Sequence, residues 1–105
     1  MEPKYEVIIT DECNNELDKA CNYIRQNLFA NMACNTMLEK IIEVIDTLEC
    51  SPFMYSKITR YNSLDKEYRK VIIKNYVIIY FVDEEEKKVY LDHIFYTKSN
   101  YINKI

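Results

Sequence analysis

The chain contains no glycine at all, and only two prolines, one histidine and no tryptophan among its 105 residues. At an average usage of about 7%, roughly seven glycines would be expected. Their absence excludes a P-loop, a dinucleotide-binding fingerprint, a nucleophile elbow and an EF-hand loop, each of which needs glycine at fixed positions. It also predicts that any position with positive φ falls to Asn or Asp, the next most tolerant residues. The single histidine argues against a histidine-rich metal site. The four cysteines (Cys13, Cys21, Cys34 and Cys50) include no CxxC pair, so zinc-finger and thioredoxin-like chemistries lack their spacing. They read instead as small, reduced hydrophobes on helices. No apolar run approaches the roughly 20 residues that span a bilayer. The start, Met1-Glu2-Pro3-Lys4, has no basic region followed by an apolar run, as a signal peptide would. The expectation is a cytoplasmic protein with no membrane partner.

What is present is apolar and aromatic. Hydrophobic residues make up 49% of the chain and ten residues are tyrosine, enough for one packed domain over residues 1–105. The pattern changes period part-way. Residues 4–10 form a short strand-like run ending at Thr10-Asp11, a helix-start signal. Cys13, Leu17, Ala20, Cys21, Ile24 and Leu28 then recur at helical spacing. Asn27 to Asn31 supplies a break, with Asn where Gly would commonly sit. A second helix carries Cys34, Met37, Leu38, Ile41, Ile42, Ile45 and Leu48 on its apolar side and stops at Ser51-Pro52. So short a link between two such helices implies an antiparallel hairpin.

Residues 53–65 read as a polar, irregular connection. Glu67–Ile73, Tyr76–Val82 and Val89–Tyr96 follow, rich in Tyr, Ile and Val, as the half-buried surface of a sheet requires. Lys74-Asn75 and Asp83–Lys88 are the turns of a three-strand antiparallel meander, and Thr97–Ile105 is a loop or short terminal element. Tyr76–Val82 is apolar on both alternating faces, the mark of a central strand. The expected fold class is therefore α+β. Charge divides with the pattern. Residues 1–52 carry four basic and ten acidic side chains, residues 53–105 ten basic and seven acidic, within a net charge of −3. An acidic hairpin and a basic sheet follow, and the balance permits nucleic-acid contact only locally.

This order of elements resembles the RelE/ParE superfamily of toxins from bacterial type II toxin–antitoxin modules. Tyr5–Ile9 is similar to the family's first strand, and Leu48-Glu49-Cys50-Ser51-Pro52 to the end of its second helix. Tyr68-Arg69-Lys70-Val71-Ile72-Ile73-Lys74-Asn75-Tyr76-Val77-Ile78-Ile79-Tyr80 resembles its core signature. Val89–Tyr96, with Tyr101 beyond, resembles its closing strand. The resemblance implies a growth-inhibiting toxin neutralised by a cognate antitoxin, whose C-terminal segment wraps the sheet and hairpin, with operator DNA met only through that complex. It implies no metal and no cofactor.

The resemblance leaves the target open. RelE-like members cleave mRNA in the ribosomal A site without metal; ParE-like members inhibit DNA gyrase. Metal-free RNA cleavage needs a base for the 2′-OH, an acid for the leaving oxygen and cations for the phosphate. On the matching positions these roles fall to Arg69, Lys70, Tyr96 and Tyr101, if the chain is a nuclease. Arg69 and Lys70 would hold the phosphate, and Tyr96 and Tyr101 would stack on a base or transfer a proton. Two departures weigh against it. Val77 stands where many RNA-cleaving relatives carry Arg, and Tyr96 stands where a histidine or basic residue is frequent. His93 lies three residues earlier and reads as a structural or surface histidine. The long hairpin, the low isoelectric point and Val77 lean toward gyrase. A degenerate toxin that only binds antitoxin is the third possibility.

Overall fold

A computed structural model describes residues 4–27, 31–58 and 67–99. Six elements appear in the expected order: β1 (Glu6–Ile9), α1 (Asp11–Asn27), α2 (Asn31–Cys50), β2 (Arg69–Ile73), β3 (Tyr76–Asp83) and β4 (Lys88–Tyr96). The two helices form the hairpin, and β2, β3 and β4 form the antiparallel meander. The placement of β1 adds something the pattern did not carry. It joins the sheet parallel to β4, giving the order β1-β4-β3-β2. A four-residue strand has too few side chains to announce its neighbour.

Thr10 turns the chain from strand to helix. Its hydroxyl accepts the Cys13 N–H at 3.1 Å and donates to the Asp92 carbonyl at 3.2 Å, so one side chain caps α1 and ties it to β4. At the other end of the hairpin the Glu49 carbonyl, among the last of α2, accepts N–H groups from Lys4 and Tyr5, both at 3.1 Å. That satisfies an acceptor the helix leaves open. The core lies between the hairpin and one sheet face. Cys13, Ala20, Cys21 and Ile24 of α1 and Cys34, Met37, Ile41, Val44 and Leu48 of α2 meet Val71, Ile73, Ile78, Tyr80, Val89, Leu91 and Ile94. Ile42 is not among them. It is 59% exposed, because Val44 completes the 37, 41, 44, 48 stripe and turns Ile42 outward.

The turns correct another expectation. Among the described residues positive φ falls on Lys74 (53°) and Lys87 (56°), not on Asn or Asp. The pairings Ile73↔Tyr76 and Asp83↔Lys88 fix the ends of loops of two and four residues. Sheet register, set by buried side chains on both strands, overrides the local preference of the turn residue. The connection after α2 is also more regular than expected where it is described. Ser56 and Ile58 hydrogen-bond along the outer edge of β2, through Lys70 N to Ser56 O at 3.0 Å and Ile58 N to Tyr68 O at 2.9 Å. Residues 28–30, 59–66 and 100–105, which include the expected connection positions Arg60, Asn62 and Ser63 as well as Tyr101, lie outside the described residues.

Candidate functional site

The two sheet faces separate the site candidates that lie among the described residues, Arg69, Lys70 and Tyr96. Cross-strand pairing puts Arg69, Val71 and Ile73 on the helix face with Tyr80, Ile78 and Tyr76, and Lys70 and Ile72 on the open face with Ile79 and Val77. Alternation alone decides this, since neighbours on a strand point to opposite sides. Arg69 and Lys70 therefore do not act on one ligand from one face.

Arg69 is occupied by its own chain. It is 8% exposed, and its guanidinium donates to the Tyr55 carbonyl at 2.7 Å, the Phe53 carbonyl at 3.2 Å and the Glu67 carboxylate at 2.8 Å. The same group lies over the Phe53 ring at 5.1 Å. It pins the segment after α2 to the edge of the sheet. Beside it Tyr80 is fully buried and donates to the Pro52 carbonyl at 2.9 Å. Burial pushes the Tyr80 phenol up to about 12, keeping it neutral and a donor. The Leu48–Pro52 ending of α2 and the Tyr68–Tyr80 signature thus meet in one packed corner.

Tyr96 lies at the opposite end of the same face. The pairings Arg69↔Tyr80 and Ile73↔Tyr76↔Tyr96 separate it from Arg69 by four residues along the strands and two strands across. At ordinary strand spacings that is about 13 Å by about 10 Å, beyond the reach of one phosphate. Tyr96 is half exposed and packs edge-on against Tyr76, centroids 5.8 Å apart. It borders an apolar cleft of about 580 Å³ between the helices and the Lys74-Asn75 turn, with Tyr23, Ile24, Ala33 and Met37 on the helical side.

The open face carries residues that the sequence reading did not bring together. Phe81 stacks on Tyr90 (5.1 Å, 21°) and meets the Tyr68 ring edge-on at 5.7 Å. His93 stacks on Phe95 (4.9 Å, 18°). Val77, the departure noted above, is fully buried here between Ile72 and Phe95. The position that would carry a catalytic arginine is an apolar part of this floor.

Three carboxylates surround His93. A bulge between Ile79 and Tyr80 in the β3–β4 register leaves Asp92 as the extra residue of β4, and its carboxylate lies 3.8 Å from His93 Nε2 while accepting the Tyr68 hydroxyl at 3.3 Å. Burial, with Asp92 beside it, raises the Tyr68 phenol. On the other side Nδ1 lies 3.3 Å from both Glu16 oxygens and 3.8 Å from Glu12 Oε1. Glu16 also accepts the Ile94 N–H at 3.0 Å, taking over the β4 edge where β1 has ended. The signals were an i, i+4 glutamate pair and an Asp-His step; what joined them was β1 lying beside β4.

The geometry can be set beside known proteins. A profile of the family described as the ParE toxin of the type II toxin-antitoxin system, parDE, matches residues 7–101. The chain belongs to this ParE toxin family. No curated protein sequence matches it. Among solved structures, a ParE-family chain of this fold is similar to one in the chromosomal ParDE system of Pseudomonas aeruginosa, at 12% identity and a TM-score of 0.69. That match covers 90% of this chain and 98% of the other. It is similar as well to a chain of the archaeal RelE-RelB complex of Pyrococcus horikoshii, at 16% identity, TM-score 0.62, and coverage of 90% and 97%. A chain of the RelBE2 toxin-antitoxin complex of Mycobacterium tuberculosis gives 20% identity, TM-score 0.60, and coverage of 91% and 93%. At such identities these matches speak for the fold. No helix among the described residues is long and apolar enough to cross a membrane.

Proposed function

We propose that this ParE-family toxin acts by binding DNA gyrase and blocking supercoiling, and that a cognate antitoxin neutralises it. The observation that carries the reading is the dispersal of the cationic and proton-transferring side chains a nuclease would need. Arg69 is spent on backbone carbonyls, Lys70 lies on the other face, Tyr96 is at the far end, and Val77 is buried where a further cation would stand. Transition-state stabilisation of a phosphorane requires donors converging on one oxygen. A binding inhibitor requires only a surface. The antitoxin's C-terminal segment is the proposed occupant of the apolar cleft beside Tyr23, Met37 and Tyr96, which a single amphipathic segment would fill.

The competing reading, ribosome-dependent cleavage of mRNA, draws on the aromatic floor of the open face. Tyr68, Phe81 and Tyr90 with Lys70 near them offer base-stacking surface, worth about 1–3 kcal/mol per base where it is used. One preparation of toxin decides between the two. Gyrase supercoiling inhibited, with message left intact on translating ribosomes, supports the proposal. Codon-linked cuts with gyrase unaffected refute it. Toxin that does neither, yet binds antitoxin, is a degenerate member and refutes both.

A further inference from the structure

The imidazole of His93 stands between carboxylates on both of its nitrogens, with Asp92 at Nε2 and Glu12 and Glu16 at Nδ1. A neutral imidazole has one N–H and one lone pair. With the N–H on Nδ1 the ring donates to Glu16 at 3.3 Å; with it on Nε2, the Nδ1 lone pair looks at two carboxylates, three acceptors turned toward one another. That arrangement needs a proton or a cation between them. A proton on Nδ1 answers one negative charge out of the three. A divalent cation answers two and takes all three donors at once.

We propose that Glu12, Glu16 and His93 form a binding site for a divalent transition-metal ion of the zinc type. The donor atoms all lie within 4.8 Å of one another. From Nδ1, the 3.3 Å contact to Glu16 matches the spacing of about 3.3 Å between neighbouring ligands of a tetrahedral zinc, and the 3.8 Å contact to Glu12 is about 0.5 Å longer. Imidazole nitrogen with carboxylate oxygen suits zinc more than calcium or magnesium, which prefer all-oxygen shells. The single histidine of the chain excluded a histidine-rich site but not a mixed one.

The surroundings are those of a held ligand set. His93 is 8% exposed and stacked on Phe95, which fixes its ring plane. Asp92 lies on the side of the nitrogen opposite the donor, its carboxylate 3.8 Å from Nε2, where the outer partners of ligating histidines stand. The Ile94 N–H orients the Glu16 carboxylate. Glu12, one turn earlier on α1, is exposed and completes the site from the solvent side. Three protein donors leave a fourth position to water or to a donor from a partner. The ion would clamp the start of α1 to β4 at the point where β1 ends.

The test uses the 105-residue chain stripped with a chelator, titrated with Zn²⁺ against a chromophoric competitor, and with Co²⁺ followed by absorption. One equivalent of Zn²⁺ is expected to bind, and free Zn²⁺ at about 100 times Kd to raise Tm by roughly 10 °C. The Co²⁺ form is expected to show d–d bands without the near-ultraviolet charge-transfer band of thiolate ligation. Glu12→Gln changes an exposed side chain and leaves the Glu16–Ile94 contact in place. It should weaken binding at least about tenfold with the metal-free Tm unchanged. His93→Gln should abolish binding. No saturable Zn²⁺ binding, equal affinity in Glu12→Gln, or a thiolate band from the cysteines would each overturn the proposal.

Discussion

Replacing Arg69 with methionine separates a scaffold arginine from a chemical one. Methionine keeps an unbranched apolar stem, so the packing of the side chain over Phe53 is largely retained while the guanidinium is lost. The charged bond to the Tyr55 carbonyl, at 2.7 Å, is worth about 2 kcal/mol, and the longer one to Phe53, at 3.2 Å, about 1 kcal/mol. Stacking of the cation on the Phe53 ring adds about 0.5 kcal/mol. The bond to Glu67, whose side chain is half exposed, is screened by solvent and counts for little. The expected loss is about 3.5 kcal/mol, which for a domain of this size lowers Tm by roughly 15 °C. Urea denaturation followed by far-UV circular dichroism measures the first quantity and a thermal scan the second. Below the unfolding transition, residual folded toxin should still inhibit growth. A variant with Tm within about 2 °C of the parent but without toxicity would refute the structural role and return Arg69 to the chemistry.

Three further outcomes follow from the same geometry. Lys74 holds a φ of 53°, costly for a residue with a Cβ, so Lys74→Gly should stabilise the fold by about 0.5–1 kcal/mol in urea denaturation. Cys13 and Cys21 are buried, and burial pushes both thiols up to about 12, while Cys50 is exposed. Ellman's reagent at pH 8 should therefore modify one thiol quickly and the other three only as fast as the protein unfolds. Tyr80 titrates near 12 in the fold against about 10 when unfolded. Its neutral form stabilises the native state fully below pH 10, and that contribution is lost as pH rises toward 12. The urea midpoint of the parent should fall across this window more steeply than that of Tyr80→Phe.

Much of the architecture was legible because it rests on local periodicity. The 3–4 spacing of Cys13 to Ile24 and of Cys34 to Leu48, and the doubly apolar run of Tyr76–Val82, require those elements whatever surrounds them. The 3–4 spacing admits both Ile42 and Val44 to the apolar side of α2, and only the packed partner decides that Val44 faces inward and Ile42 outward. The turns depart from the expectation for a related reason. Intrinsic preference pointed to Asn, and the register of two buried strands put the positive φ on lysines instead.

The candidate site was legible in its residues and not in its arrangement. Arg69, Lys70 and Tyr96 could be named from the signature, yet whether they converge depends on strand alternation and on where each strand's end falls in the sheet. Tyr101 lies outside the described residues. Glu12 and Glu16, four residues apart on α1, have the spacing of any solvated helix face.

By itself, then, the sequence determined the element order and the class of fold, since these follow from spacing and from side-chain type, and its resemblance to known toxins pointed to the family. It also excluded every glycine-built phosphate cradle. Only the tertiary structure decided that β1 runs beside β4, that Arg69 is consumed by its own backbone, and that His93 meets three carboxylates. Each of these is a contact between residues 14 or more positions apart, apart from the adjacent Asp92–His93 step. Local propensity carries no information about such pairs; burial and register do.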